Sequence, residues 1–128
     1  VIPEVIGRVA RKVEPFPVFG ADDRRSFCYI ADAVEAIQKV MESDATDGGT
    51  YHIGKTEETG IKNLIEKIFD ITGWHPAALD IKNSPEGSVK RRLADVSKIK
   101  KDTGWEAATP LEEGLRKTVA WYLAHPPL

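Results

Sequence analysis

The chain has 128 residues, of which 41% are hydrophobic and 30% charged, with a formal net charge of −2. That length suits one ordinary domain, and the balance excludes a disordered chain. The near-neutral charge offers no field that would recruit nucleic acid or an anionic membrane, and no apolar run approaches the ~20 residues a bilayer crossing needs.

Cys28 is the single cysteine, so no internal disulfide is available, which fits a reducing, cytoplasmic setting. His52, His75 and His125 are far apart and have no companion cysteine at zinc spacing, so no metal site is expected. Val1-Ile2-Pro3-Glu4 lacks a basic region followed by a long apolar stretch, so no signal peptide is read there. The absence of an initiator Met fits a piece of a longer polypeptide as well as a processed chain.

Ile2, Val5, Ile6 and Val9 fall at helical spacing and predict a helix over about 3–12. Glu14-Pro15-Phe16-Pro17 cannot continue it, because proline lacks the amide donor and clashes with the preceding turn. Val18-Phe19 reads as a short extended segment ended by Gly20, and Arg25 to Ile30 as another. Asp32, with Glu35 three residues on, is placed to cap a helix that buries Val34, Ile37, Val40 and Met41. Asp47-Gly48-Gly49 is a turn, and Thr50 to Gly54 reads as a short strand.

Thr59 is the expected cap of an amphipathic helix carrying Ile61, Leu64, Ile65, Ile68 and Phe69, stopped near Gly73. Residues 74–88 read as loop, and Val89 to Ala94 as a strand. Asp95 caps a short helix that ends at Gly104. Thr109-Pro110-Leu111-Glu112 reads as a capping box opening a last helix through Leu115, Val119 and Tyr122, closed by His125-Pro126-Pro127. The expected fold class is therefore α/β, a small α+β-like domain of short strands and about five helices, without a complete doubly wound sheet.

Three segments resemble the extended short-chain dehydrogenases/reductases, specifically NAD-dependent nucleotide-sugar epimerases and dehydratases. The first is Pro17-Val18-Phe19-Gly20, a polar turn, and Arg25-Ser26-Phe27-Cys28-Tyr29-Ile30-Ala31-Asp32. The second is Gly49-Thr50-Tyr51-His52-Ile53-Gly54, where His52 stands in place of the family's usual asparagine. The third runs from Arg91-Arg92-Leu93-Ala94-Asp95 through Gly104-Trp105 and Leu111-Glu112-Glu113-Gly114-Leu115 to Trp121-Tyr122. The order and spacing match over nearly the whole chain.

The resemblance implies that residues 1–128 form a single C-terminal, substrate-binding domain, and that NAD or NADP belongs to an N-terminal half. It also implies that segment 27–54 packs on that NAD-binding domain in relatives. The chain's ten glycines include no Gly-x-Gly-x-x-Gly run. Tyr51 and Lys55 satisfy Tyr-x-x-x-Lys, but that spacing shares a face only on a helix, and this segment reads as extended. No catalytic, cofactor-binding or metal-binding residue is therefore expected.

The resemblance makes Arg25 the leading substrate-binding residue, since a guanidinium can grip a diphosphate through two parallel bonds. The turn before it is one residue shorter than usual in the family, which leaves Arg24 as the alternative. Arg91 and Arg92 are further candidates, and their opposite faces on a strand admit at most one to a common site. Pro17, Val18 and Phe19 are candidates to line the base and ribose pocket, with core packing as the competing role. Trp74, Trp105 and Trp121 read as packing anchors.

The function expected is nucleotide-sugar recognition within an epimerase, dehydratase or decarboxylase. A standalone non-catalytic binding or assembly module stays open beside it. The expected partners are a nucleoside-diphosphate sugar and either the N-terminal domain or another copy of the chain.

Overall fold

The computed structural model describes residues 1–125. Three helices, α1 (Ile2–Ala10), α3 (Ile61–Thr72) and α5 (Leu111–Ala124), pack on one another and on strand β1 (Phe16–Phe19). The predicted apolar spacings are realised here: Val5, Ile6 and Val9 of α1 and Leu64, Ile65, Ile68 and Phe69 of α3 meet Phe16, Val18, Leu115 and Val119 in one buried cluster. Phe16 sits edge-on to Phe69 at 5.0 Å, and Trp74 closes that end 6.0 Å from Phe69. Gly73 (φ +70°) and Gly104 (φ +71°) end their helices in the left-handed conformation.

A smaller cluster lies between α2 (Ile30–Met41) and α4 (Ser97–Thr103), where Ala36, Val96, Ile99 and Trp105 are buried. A three-stranded sheet is also present. Its central strand β2 (Arg24–Ser26) runs antiparallel to β3 (Glu58–Gly60) and parallel to β5 (Arg91–Arg92). The five helices and short strands are the α/β architecture expected from the sequence.

Several elements differ from the sequence reading. Residues 74–88 contain a strand, β4 (Leu79–Lys82), which pairs parallel with β1. Thr50 to Gly54 forms no strand; Tyr51 Oη instead donates to Asp102 Oδ2 at 2.9 Å and Ile53 packs beside the α2–α4 cluster. Three expected caps also play other parts. Thr59 lies inside β3, and the first amides of α3 are taken by backbone carbonyls: Ile61 N–H donates to Asp23 O and Lys62 N–H to Ala21 O. Thr109 precedes Pro110, which itself occupies the cap position before α5, and Glu112 pairs with Arg116 instead of reaching back. Asp95 does accept from the Ser97 amide at 2.9 Å.

The largest correction concerns α2, which starts at Ile30, so Asp32 falls within its first turn. There the buried carboxylate accepts from Thr109 N–H at 2.9 Å and from Thr109 Oγ1 at 2.8 Å. That pair sets the rotation of the helix and turns Ala36 inward one turn later. Val34, Ile37 and Met41, expected in the core, are consequently 45%, 49% and 80% exposed, and Ile30 joins them in an outward stripe. Trp121 is likewise 56% exposed, stacked on His125 within its own helix end, so it anchors no core. Pro126 and Pro127 lie outside the described residues.

Candidate functional site

The β1–β2 connection carries the candidate site. Gly20 ends β1 at φ +59°, and a Cβ there would stand 2.6 Å from Ser84 Oγ and 2.7 Å from Asp23 Oδ2. Both the backbone conformation and the crowding demand glycine. Asp23 N–H donates to Gly20 O at 2.9 Å and closes the turn. Its side chain, 9% exposed, accepts from Ser84 Oγ at 2.9 Å, Arg25 Nη2 at 3.3 Å and Ser88 Oγ at 3.5 Å. Asp23 is thus the hub that ties the Gly20 turn, β2 and the 84–90 loop together.

Arg25 is nearly saturated by this arrangement. Nη1 donates to Arg24 O at 2.8 Å and Lys90 O at 3.2 Å, while Nη2 reaches Asp23 and Ser88. Four of the five N–H groups of a guanidinium are engaged on this geometry, with Nε–H left. Strand register places Arg92 directly beside Arg25, on the same face. Arg92 is exposed, and its side chain has no hydrogen bond or ion pair among the described residues.

The opposite face holds Arg24 and Arg91. Arg91 forks onto Glu58, with Nε to Oε1 at 2.7 Å and Nη2 to Oε2 at 2.8 Å. The Arg91 hydrogen bonds hold the Glu58 carboxyl below its usual range, and Glu58 raises Arg91 in return. Arg91 and Arg92 therefore serve different surfaces, as their adjacency on a strand requires. A cleft of about 670 Å³ opens on the Arg24 face, lined among others by Arg24, Glu58, Lys62, Glu66 and Glu112. Its carboxylates and cations alternate, so it favours no single anion, and none of Arg25, Arg91, Arg92, Pro17, Val18 or Phe19 lines it.

Along β1 the side chains alternate. Val18 is 1% exposed and packs inward with Phe16, whereas Pro17 is half-buried and Phe19 is 39% exposed. Phe19 lies between two cations, 5.6 Å from both the Arg8 guanidinium and Lys82 Nζ. Pro17 and Phe19 thus occupy the outward face that leads into the Gly20 turn.

Tyr51 and Lys55 do not converge. Tyr51 Oη is held by Asp102, and Lys55 Nζ donates to Thr109 O at 2.6 Å. No helix joins them, so lysine has no route to lower the tyrosine pKa; burial and Asp102 raise it instead. The Gly20 turn leads into a strand and not into a helix N-terminus, so this turn is no cradle for a dinucleotide pyrophosphate. Burial, then Asp32, pushes the Cys28 thiol up, against a smaller pull from Lys55, so it is no ready nucleophile.

A family model described as GDP-mannose 4,6 dehydratase matches residues 1–118. The chain belongs to the extended short-chain dehydrogenase/reductase family of nucleotide-sugar epimerases and dehydratases. It is 31% identical over 134 residues to a dTDP-glucose 4,6-dehydratase of Xanthomonas campestris pv. campestris, an alignment covering 97% of this chain and 38% of that protein. It is 35% identical over 91 residues to UDP-glucuronic acid decarboxylase 6 of Arabidopsis thaliana, covering 71% of this chain and 26% of that one. The crystal structure of UDP-glucose 4-epimerase from Thermotoga maritima with UDP-glucose superposes with a TM-score of 0.85 at 29% identity, covering 96% of this chain and 39% of that structure. The chain therefore spans well under half the length of these relatives.

Residue pattern alone singled out Arg25 and the Gly20 turn but not Asp23, Ser84 and Ser88, which surround them. The acidic pair Asp22-Asp23 directly before Arg24-Arg25 was the available signal. The two serines lie more than sixty residues away in sequence and enter through the β1–β4 pairing, which loop-like composition concealed.

Proposed function

We propose that these residues form the nucleotide-sugar-recognising portion of an NAD(P)-dependent epimerase, dehydratase or decarboxylase, whose cofactor and acid–base groups come from another segment of the same polypeptide. The observation that carries this reading is the Asp23-centred junction. It gathers the end of β1, Arg25 and the 84–90 loop, three stretches distant in sequence, beside the uncommitted cation Arg92. Arg25 Nε–H and the Arg92 guanidinium, side by side, suit a diphosphate, and the outward Phe19 and Pro17 suit the base and ribose. In this reading Val18 supports the strand from within, and Arg91 binds Glu58 instead of ligand.

The described residues contribute affinity and orientation, and the nicotinamide supplies the hydride chemistry when bound to the remainder. Solved members of the fold hold NAD or NADPH. The outward stripe of α2 within segment 27–54 is the surface this reading assigns to that remainder. In its absence, a second copy of the chain would cover the stripe.

Titration of the purified chain with uridine, guanosine and thymidine diphosphate sugars tests recognition. Saturable binding weakened about tenfold by Arg92→Ala is expected, a size appropriate to one charge-assisted contact. Absence of binding to every sugar nucleotide, by a natively folded chain, removes the recognition reading and leaves the assembly role. An open reading frame without a glycine-rich turn and a helical Tyr-x-x-x-Lys upstream of Val1 removes the enzyme reading.

A further inference from the structure

Arg25 already has an anionic ligand, and it belongs to the protein. The Asp23 carboxylate sits against Nη2 at 3.3 Å, and the pair is shielded, with side-chain exposures of 18% for Arg25 and 9% for Asp23. The same Oδ2 takes Ser84 and Ser88 hydroxyls at 2.9 and 3.5 Å. One carboxylate oxygen thus draws in three donors from β2 and the 84–90 loop. These donors, an arginine fork edge and two hydroxyls, are also the set that would coordinate a phosphoryl oxygen.

We propose that Asp23 is a built-in competitor for the anion seat of Arg25, and that it sets the preference of this site for a diphosphate over a lone carboxylate. The inference rests on the diphosphate reading above and deepens it. An anion that takes more of Arg25 than its open Nε–H must displace a carboxylate held at high effective concentration by the Gly20 turn. A monoanion, such as a sugar carboxylate, exchanges like for like and gains nothing. A diphosphate esterified at both ends carries one charge on each phosphorus, so one phosphoryl group can engage the freed donors while the other engages Arg92. Gly20 belongs to the device, since any Cβ there would press on both Asp23 and Ser84.

The test uses the whole 128-residue chain, with inorganic pyrophosphate, uridine diphosphate and acetate as probes at low ionic strength. Asp23→Asn keeps an acceptor for the serines and removes the charge. It is expected to raise affinity for both diphosphates about five- to tenfold, the scale of one lost partly shielded charge pair. Asp23→Glu, which keeps the charge, is expected to show no gain, and acetate should bind neither protein measurably. Equal or weaker diphosphate binding by folded Asp23→Asn overturns the inference while leaving the recognition reading intact, because it makes Asp23 a mere support. Failure of both proteins to bind either diphosphate overturns the recognition reading and the inference with it.

Discussion

The α1–α3–α5 cluster and the α2–α4 cluster are built from similar helices but closed to different degrees. In the first, the inner face of β1 and the apolar stripes of three helices find partners, and Phe16, Leu64 and Ile68 are wholly buried. In the second, α2 buries its small and polar side, Asp32 and Ala36, and turns its large apolar residues outward. An apolar stripe at helical spacing reports that a helix has something to pack against; it does not report whether that something lies in the same 128 residues. The buried Asp32–Thr109 bonds decide the matter, because a carboxylate cannot be left in a core unpaired and the helix rotates to satisfy it.

The contrast can be broken by substitution. Leu64→Ala in the closed cluster should cost about 3–5 kcal/mol, a transfer term plus a cavity term, read from urea unfolding. A loss below about 1 kcal/mol would show that this cluster is as loosely packed as the other. Next in size, Asp32→Ala should cost about 1–3 kcal/mol, because it strands the Thr109 amide and hydroxyl in a partly buried place. It should also relax the rotation of α2, seen as faster exchange of its amides. If unfolding is unaffected, the pair does not fix the helix.

On the open side, Ile37→Ser should change unfolding free energy by no more than about 0.5 kcal/mol, as befits an exposed position. The same substitution should reduce self-association of the isolated chain, measured by light scattering across concentration. A monodisperse monomer before substitution, with residues 27–54 well protected from exchange, would mean that the stripe attracts no second copy.

The smallest effect is electrostatic. Arg91 lowers the Glu58 carboxyl, so the folded state holds that proton less tightly than the unfolded chain does. The pair's contribution is therefore complete above the ordinary glutamate value near ~4.3, and it fades as pH falls through the lower folded value. Urea midpoints at pH 5 and pH 3 should converge slightly in Glu58→Gln relative to the unsubstituted chain. An identical pH slope in both would show that the fork contributes nothing, an outcome common for exposed pairs.

Helix existence, the apolar content of α1 and α3 and their glycine ends were legible because they depend on spacing within a dozen residues. The position of Arg25 was legible for the same reason, since it follows a turn that only glycine can make. Caps were less so: Thr59, Asp32 and Thr109 all carry capping chemistry, yet each is engaged elsewhere by partners distant in sequence or by strand pairing. Strand β4 escaped notice because Leu79-Asp80-Ile81-Lys82 is too short to stand out from the prolines and glycines around it, and its partner β1 lies some sixty residues earlier.

By itself the sequence determined the family, the helical faces of the closed cluster and the absence of a glycine-rich dinucleotide turn, since each is written in local spacing. The tertiary structure alone decided which arginine is free. Arg25, Arg91 and Arg92 are alike as residues, but strand register hands Arg91 to Glu58, a turn hands Arg25 to Asp23, and Arg92 is left facing solvent beside it. A guanidinium's availability depends on which acceptors the fold brings within about 3 Å of it, and those acceptors come from loops that no local pattern connects.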